Sequence, residues 1–225
     1  MIIGVFKERA PETRVSLVPE VVQSLVKMNV QVWVEAGAGS QAFYTDQAYT
    51  DAGAVIKDTA AIAGEADVIL TIHGENIPDD IREGRVLLGV YQPLAHRERI
   101  QRWAAQGHTV FSLDTIPRTT RAQAMDVLSS QANIAGYKAV LLAAMTYSRY
   151  FPMFMTAAGS IPPAKVLILG AGVAGLQAIA TARRLGAVVS VFDTRPAVKE
   201  EVMSLGAKFV KWKAPQTHRK PAAMQ

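Results

Sequence analysis

The sequence predicts an α/β protein with two parallel-sheet domains joined by a long helix, the second domain being incomplete. Over the first 120 residues, short apolar runs of strand length alternate with amphipathic helical patterns. This order is typical of parallel sheets covered by helices. A helical pattern without proline then runs from 121 to 149, and an apolar strand pattern at 166–169 leads into a glycine-rich turn.

The first predicted domain covers residues 1–120. It begins with a strand at 2–6, and Pro19 stands where the first turn of a helix tolerates proline. The other elements follow from apolar periodicity. They are helix 20–28, strand 30–34, helix 46–52, strand 67–72, strand 86–91, helix 97–106 and strand 109–113.

Residues 121–160 are predicted to link the two domains. The long helix 121–149 carries alanine, methionine and leucine at helical spacing. Residues 157–163 contain glycine, serine and two prolines, which predicts a connector rich in turns.

Residues 161–210 have the pattern of the first half of a dinucleotide-binding domain. After the strand, Gly170 allows a sharp turn, Gly172 leaves room for a pyrophosphate, and Gly175 lets the next helix pack closely. The start of that helix offers free amides and a positive dipole end. A second strand, 188–192, ends at Asp193, roughly 20 residues after the turn, as the fingerprint requires. Both domains are therefore predicted to be Rossmann-like, with only 208–210 left as a third strand of the second.

The acidic residue after the second strand favours NAD over NADP. The carboxylate of Asp193 would accept both ribose hydroxyls and repel a 2′-phosphate. Arg195 weakens this exclusion because a guanidinium could accommodate the phosphate. The alternative is a glycine-rich turn that binds nothing, which the strand, helix and acidic residue together make the less favoured interpretation.

Composition excludes several other classes of function. The chain has no cysteine, which excludes disulfides and thiol chemistry and favours a cytosolic protein. No apolar stretch is long enough to span a bilayer, so membrane association is expected only through a partner. Much of the net charge of +5 lies near the basic tail 211–225, which gives little support to nucleic-acid binding. No metal site is expected, because the four histidines lie apart in the sequence. They are His73, His96, His108 and His218.

A family resemblance rests mainly on the segment Pro117–Tyr137. This segment is similar to the signature loop and helix of proton-translocating NAD(P) transhydrogenases, in their NAD(H)-binding alpha subunit. The opening from Lys7 to Pro19, the connector 156–159 and the stretch 166–199 resemble the same family.

The resemblance implies that four side chains hold the nicotinamide of NAD(H) beside the NADP(H) of a separate partner domain. They are Arg118, Gln123, Asp126 and Ser129. The expected cofactor-binding set consists of Gly170, Ala171, Gly172, Val173, Ala174, Gly175, Asp193, Thr194, Arg195 and Tyr137. From spacing alone, Arg118 and Asp126 would be explained as a solvated helix start, and Tyr137 as a core residue with its hydroxyl at the rim.

The resemblance also implies partners and a location. The intact protein would transfer hydride from NADH to NADP⁺, coupled to proton movement by a membrane subunit. It would be a cytoplasmic homodimer, peripheral to the inner membrane through its partner subunits.

Two alternatives remain. Alanine dehydrogenase has a similar fold and would place a lysine where His73 stands and a histidine where Gln92 stands, while Arg14 is kept. A glutamine cannot shuttle a proton, which disfavours that chemistry. The other alternative is an inactive nucleotide-binding remnant, because half of the second domain is missing and the tail 211–225 is unlike the acidic segment expected. A truncated product or a shifted reading frame would explain that tail.

Overall fold

The computed structural model describes residues 1–211. These residues divide into two compact units, the first Met1–Val127 and the second beginning at Leu128. The basic tail predicted at 211–225 lies, apart from Lys211, outside the described residues.

The first unit contains a six-stranded parallel sheet with the order β3-β2-β1-β4-β5-β6. This confirms the α/β fold class. The strands are β1 Ile2–Val5, β2 Gln31–Glu35, β3 Val55–Lys57, β4 Val68–Leu70, β5 Val86–Gly89 and β6 Thr109–Ser112. The strand β3 was not predicted from the sequence, because its apolar pattern is only three residues long.

Four α-helices belong to the first unit, α1 Pro19–Lys27, α2 Asp46–Asp51, α3 Thr59–Glu65 and α4 Arg97–Ala105. Pro19 occupies the first turn of α1, as predicted. Two further helices begin at side-chain caps: Thr45 accepts from the Ala48 amide at 3.2 Å, and Asp58 accepts from the Ala61 amide at 2.7 Å. Such caps satisfy amides that have no partner within the helix.

Two apolar clusters form the core of this unit. One includes Phe6, Ile62, Ile69, Leu87 and Trp103, with Tyr91 fully buried among them. The other includes Val5, Val22, Val32, Val34 and Tyr49. Neighbouring residues of a strand face opposite sides of the sheet, so adjacent Trp33 and Val34 of β2 belong to different clusters. The sheet is therefore packed on both faces, as expected for parallel strands.

The second unit has a three-stranded parallel sheet, ordered β11-β10-β9 over the described residues. Its elements are the antiparallel pair β7 Phe154–Thr156 and β8 Gly159–Ile161, then β9 Lys165–Leu169, α6 Val173–Arg184, β10 Val188–Phe192, α7 Lys199–Ser204 and β11 Lys208–Phe209. The helix α5 Val127–Thr146 precedes them. The strand-turn-helix-strand order predicted for 166–192 is confirmed.

The predicted continuous helix 121–149 is wrong in its bounds. A 3₁₀ helix covers Thr120–Met125, and α5 begins only at Val127. Between them, Asp126 has φ −77° and ψ 81°, outside the helical region. Aspartate is a poor helix former because its side chain competes for backbone hydrogen bonds. The predicted connector also contains the hairpin β7–β8 rather than turns alone.

The strand before the glycine turn, β9, is covered on one face only by the described residues. Leu167 and Leu169 are 60% and 74% exposed, whereas Val166 and Ile168 are partly buried and pack against the core of the unit. That core, with Ile179 of α6, covers only one face of the sheet. The sequence pattern describes a strand that could be covered on both faces, but the described residues cover one.

Candidate functional site

The glycine turn joins β9 to α6. Gly170 has φ +97°, a backbone conformation that residues with a side chain rarely adopt. Its amide donates to the carbonyl of Phe192 at 2.7 Å. The chain thus leaves β9 sharply, beside the end of β10. Gly172 is then the N-cap of α6, which begins at Val173.

Gly175 allows the helix to approach the turn closely. A Cβ added to Gly175 would lie 1.9 Å from the carbonyl oxygen of Gly170. Only glycine fits at this distance, so the third glycine of the motif has the packing role that the fingerprint assigns to it.

Gly172 faces open space instead. None of the described residues places an atom within 4 Å of a Cβ added there. The first amides of a helix have no partner within it and carry the positive end of the dipole. The first turn of α6, which the structure describes, carries no acidic side chain. The space beside Gly172 therefore suits an anion such as a pyrophosphate.

Asp193 follows β10 and is fixed against the turn. Its Oδ2 accepts from the Ala171 amide at 2.7 Å, and its Oδ1 accepts from the Arg195 amide at 2.7 Å. The guanidinium of Arg195 also contacts both oxygens, with Nε at 3.1 Å from Oδ1 and Nη2 at 3.0 Å from Oδ2. The Arg195 side chain, followed by the two amides, holds the pKa of Asp193 well below its usual range.

An open cleft of about 750 Å³ lies beside Asp193. Leu167, Leu169, Phe192 and Val210 give it largely apolar walls, and Thr194 lies at its polar side with Arg195. An apolar cleft next to a fixed carboxylate matches the chemistry of a nucleoside, which has a flat base and a sugar with hydroxyls.

Helix α5 packs on the start of α6. A Cβ added to Gly136 would lie 2.1 Å from the carbonyl oxygen of Ala174. Nearby, Asn133 donates from Nδ2 to Oε1 of Gln177 at 3.3 Å. Sequence reasoning missed this contact, although a glycine within a long helix is itself a sign of close approach. Tyr137, beside Gly136, is 44% exposed, so the alternative that it is a core residue is wrong.

The four residues expected to hold the nicotinamide are divided between the two units. Arg118 is exposed in the segment before the 3₁₀ helix, Gln123 is exposed on that helix, and Asp126 follows it. The amide of Asp126 donates to the carbonyl of Gln123 at 3.2 Å, which brings these two together in the first unit. Ser129 is half-buried on α5 in the second unit.

A separate polar cluster lies at the carboxyl ends of β1 and β4. Glu12 accepts from Nε and Nη2 of Arg14 at 2.8 and 2.6 Å, and lies 2.9 Å from Nε2 of His73. The hydrogen bond from Arg14 holds the pKa of Glu12 well below its usual range. Glu8 accepts from the Ile72 amide at 2.5 Å and from Nδ2 of Asn76. The sequence analysis did not identify either glutamate as a site residue. For Glu12, the only signal in the sequence was that it lies two residues before Arg14.

Residues 1–211 contain no group of three or more histidine, aspartate or glutamate side chains placed to hold a metal ion. His218 lies outside that range. Among the helices of the same residues, none combines the length and apolar character needed to cross a membrane.

Both halves of the chain match known sequence families. Residues 4–135 match the family described as "Alanine dehydrogenase/PNT, N-terminal domain". Residues 139–224 match the one described as "Alanine dehydrogenase/PNT, C-terminal domain". The chain belongs to the alanine dehydrogenase/PNT family.

Within the alanine dehydrogenase/PNT family, the transhydrogenases are the more similar relatives. The chain is 49% identical over 219 residues to the first part of the NAD(P) transhydrogenase alpha subunit of Rhodospirillum rubrum, covering 93% of this chain and 57% of that protein. It is 30% identical over 213 residues to alanine dehydrogenase of Staphylococcus saprophyticus, covering 91% of this chain and 56% of that protein. The chain thus spans about half the length of these relatives.

A solved structure of a transhydrogenase also matches this chain. The crystal structure of transhydrogenase from Sinorhizobium meliloti matches with a TM-score of 0.90 and 51% identity, over 94% of this chain and 64% of that one. These matches confirm the resemblance to the transhydrogenase alpha subunit that the sequence indicated.

Proposed function

We propose that this chain is the NAD(H)-binding portion of a proton-translocating transhydrogenase, which in the intact complex transfers hydride from NADH to NADP⁺. The observation that carries the proposal is the turn from Gly170 to Gly175 with Asp193 fixed beside it. The identity of 49% to a transhydrogenase alpha subunit supports the same reaction.

The residues of the turn fit the successive groups of a dinucleotide. The amides at the start of α6 and the open space at Gly172 would take the pyrophosphate. Asp193 would accept the adenosine ribose hydroxyls, and the cleft with Phe192 and Val210 would take the base. The remaining residues of the turn would contact the ligand through their backbone atoms; they are Ala171, Val173 and Ala174. Thr194 and Tyr137 would border the ligand.

The nicotinamide supplies the reactive carbon, from which hydride passes directly to a second nicotinamide. The protein therefore has to orient the ring rather than move a proton. Arg118, Gln123, Asp126 and Ser129 are proposed to do this. The amide of Gln123 offers both a donor and an acceptor, which matches the carboxamide of the ring. Rings held roughly 3–3.5 Å apart gain most of the rate available from orientation.

The proposed complex has further components. NADP(H) would be bound by a separate partner domain, and a membrane subunit would couple the transfer to proton movement. We also propose a homodimer, which sedimentation of the purified chain would test.

Alanine dehydrogenation is the second candidate, and the site disfavours it. The guanidinium of Arg14 is engaged by both oxygens of Glu12, and His73 contacts the same carboxylate. Gln92 stands where the resemblance to alanine dehydrogenase implies a histidine, and a glutamine cannot act as an acid or base.

The test is a fluorescence titration of the purified chain with NADH, using the Gly172→Ala and Asp193→Ala variants. Gly172 has an ordinary φ and open space, so a methyl group there would block the pyrophosphate without disturbing the chain. We expect saturable binding that Gly172→Ala weakens at least about tenfold, with an unchanged unfolding temperature. A folded chain that binds no NADH would identify an inactive remnant instead.

A further inference from the structure

We propose that Arg195 is a specificity-determining residue that covers Asp193 in the ligand-free chain and competes with the ribose of NAD(H) for its carboxylate. This inference rests on the proposed function and concerns the same site. It predicts that Arg195 narrows the preference for NAD(H) over NADP(H).

The carboxylate of Asp193 is already surrounded by donors. A carboxylate has about four positions at which it accepts hydrogen bonds. Asp193 accepts from four donors in the structure: the amides of Ala171 and Arg195 at 2.7 Å each, and Nε and Nη2 of Arg195 at 3.1 and 3.0 Å. Little capacity is left for the two hydroxyls of a ribose.

Two of these donors are fixed and two can move. The two amides belong to the backbone of the turn and of the segment after β10, so they hold the carboxylate in place whatever the arginine side chain does. The guanidinium is different, because the side chain of Arg195 is 61% exposed whereas that of Asp193 is 6% exposed. The arginine thus lies on the solvent side of the aspartate, where a ribose would approach from the cleft.

The guanidinium has opposite effects on the two nucleotides. NAD(H) must displace the two guanidinium hydrogen bonds before its ribose reaches Asp193, which lowers its affinity. A 2′-phosphate meets a different site. The charge of Asp193 is balanced by Arg195, so repulsion is reduced, and a displaced guanidinium would pair with the phosphate. Arg195 therefore disfavours NAD(H) and favours NADP(H) relative to a site with the carboxylate alone.

The experiment measures dissociation constants of NADH and NADPH for the wild-type chain and for Arg195→Ala. An exposed ion pair changes affinity by about two- to fivefold. We expect Arg195→Ala to bind NADH about two- to fivefold more tightly and NADPH more weakly by a similar factor. The dissociation constant of NADPH divided by that of NADH should then rise about tenfold.

Two further variants sharpen the test. Arg195→Lys keeps the charge but loses the planar fork, so NADH binding should tighten less than in Arg195→Ala. Arg184→Ala removes a charge from the last turn of α6, at the end opposite the glycine turn, and should leave the ratio unchanged. Thermal unfolding of each variant confirms that it is folded.

Several results would overturn the inference. An unchanged ratio in Arg195→Ala would show that the arginine does not discriminate, and weaker NADH binding would show that it helps to hold the ribose. Both results leave the proposed function standing, because NADH still binds. A wild-type chain that binds neither nucleotide would overturn both proposals.

Discussion

Gly136 of α5 lies against the backbone of Ala174 in the first turn of α6, where an added Cβ would be 2.1 Å from the carbonyl oxygen of Ala174. Ala174 belongs to the proposed phosphate-binding turn. The packing of α5 therefore fixes the position of the helix start on which the site is built.

We expect Gly136→Ala to destabilise the chain by about 1–3 kcal/mol, because the methyl group forces backbone atoms apart. NADH binding should weaken as well, since the start of α6 moves. Chemical denaturation and NADH titration measure the two effects. In the matched control, Gly64→Ala in α3, the added Cβ meets nothing within 4 Å of it among the described residues. That variant should gain about 0.5–1 kcal/mol from the higher helix propensity of alanine. Equal changes in the free energy of unfolding in the two variants would show that the contact of Gly136 with Ala174 does not contribute to stability.

Gly175→Ala should damage the fold itself. The new Cβ would lie 1.9 Å from the carbonyl oxygen of Gly170, so α6 must move away from β9. We expect a loss of about 2 kcal/mol or more in the free energy of unfolding, in the upper range for overpacked sites. Gly172→Ala serves as the comparison, because it is expected to lose affinity without losing stability. A Gly175→Ala chain as stable as the wild type would contradict the close packing.

Gln123→Ala should slow hydride transfer more than it weakens NADH binding. A ring displaced by about 1 Å costs roughly a hundredfold in rate. Stopped-flow transfer from NADH to NADP⁺, with the partner domain added, gives the rate, and the titration gives the affinity. Gln101→Ala, at an exposed position on α4, is the control. An unchanged transfer rate in Gln123→Ala would remove the orienting role of this glutamine.

His108 should make the stability of the first unit depend on pH. Burial, together with the charge of Arg85, lowers the pKa of His108 in the folded chain. Its Nδ1 accepts from the Arg85 amide at 3.1 Å, and its Nε2 has no hydrogen-bond partner among the described residues. The unfolded chain therefore takes up the proton first as the pH falls. The contribution of His108 to the free energy of unfolding is therefore fully present above about pH 6.5, the ordinary pKa of histidine, and declines below that pH.

Unfolding temperatures measured between pH 8 and pH 5 would test this expectation. The variant His108→Gln keeps an acceptor for the Arg85 amide but cannot titrate, so its decline toward low pH should be smaller. His96→Gln, which removes the less buried histidine before α4, is the control. If the unfolding temperatures of His108→Gln and of the wild-type chain fall in parallel, the burial of this imidazole does not account for the pH dependence.

The sequence alone determined the local features of this protein. The glycine spacing and the apolar runs predicted the turn, the strands on either side of it and the α/β class. Gly170 and Gly175 have the conformation and the close contact expected of them, because both depend mainly on residues within a few positions along the chain. The position of Asp193 at the end of β10 was predicted for the same reason.

Only the tertiary structure decided which residues from distant regions of the sequence meet. The contact of Gly136 with Ala174, the four donors around Asp193 and the engagement of Arg14 by Glu12 depend on how whole elements pack. The break at Asp126 and the exposed face of β9 at Leu169 were also decided there. Periodicity in a sequence shows that a face can be buried. The packing of elements decides whether anything covers that face, and that packing is set by contacts that local spacing does not encode.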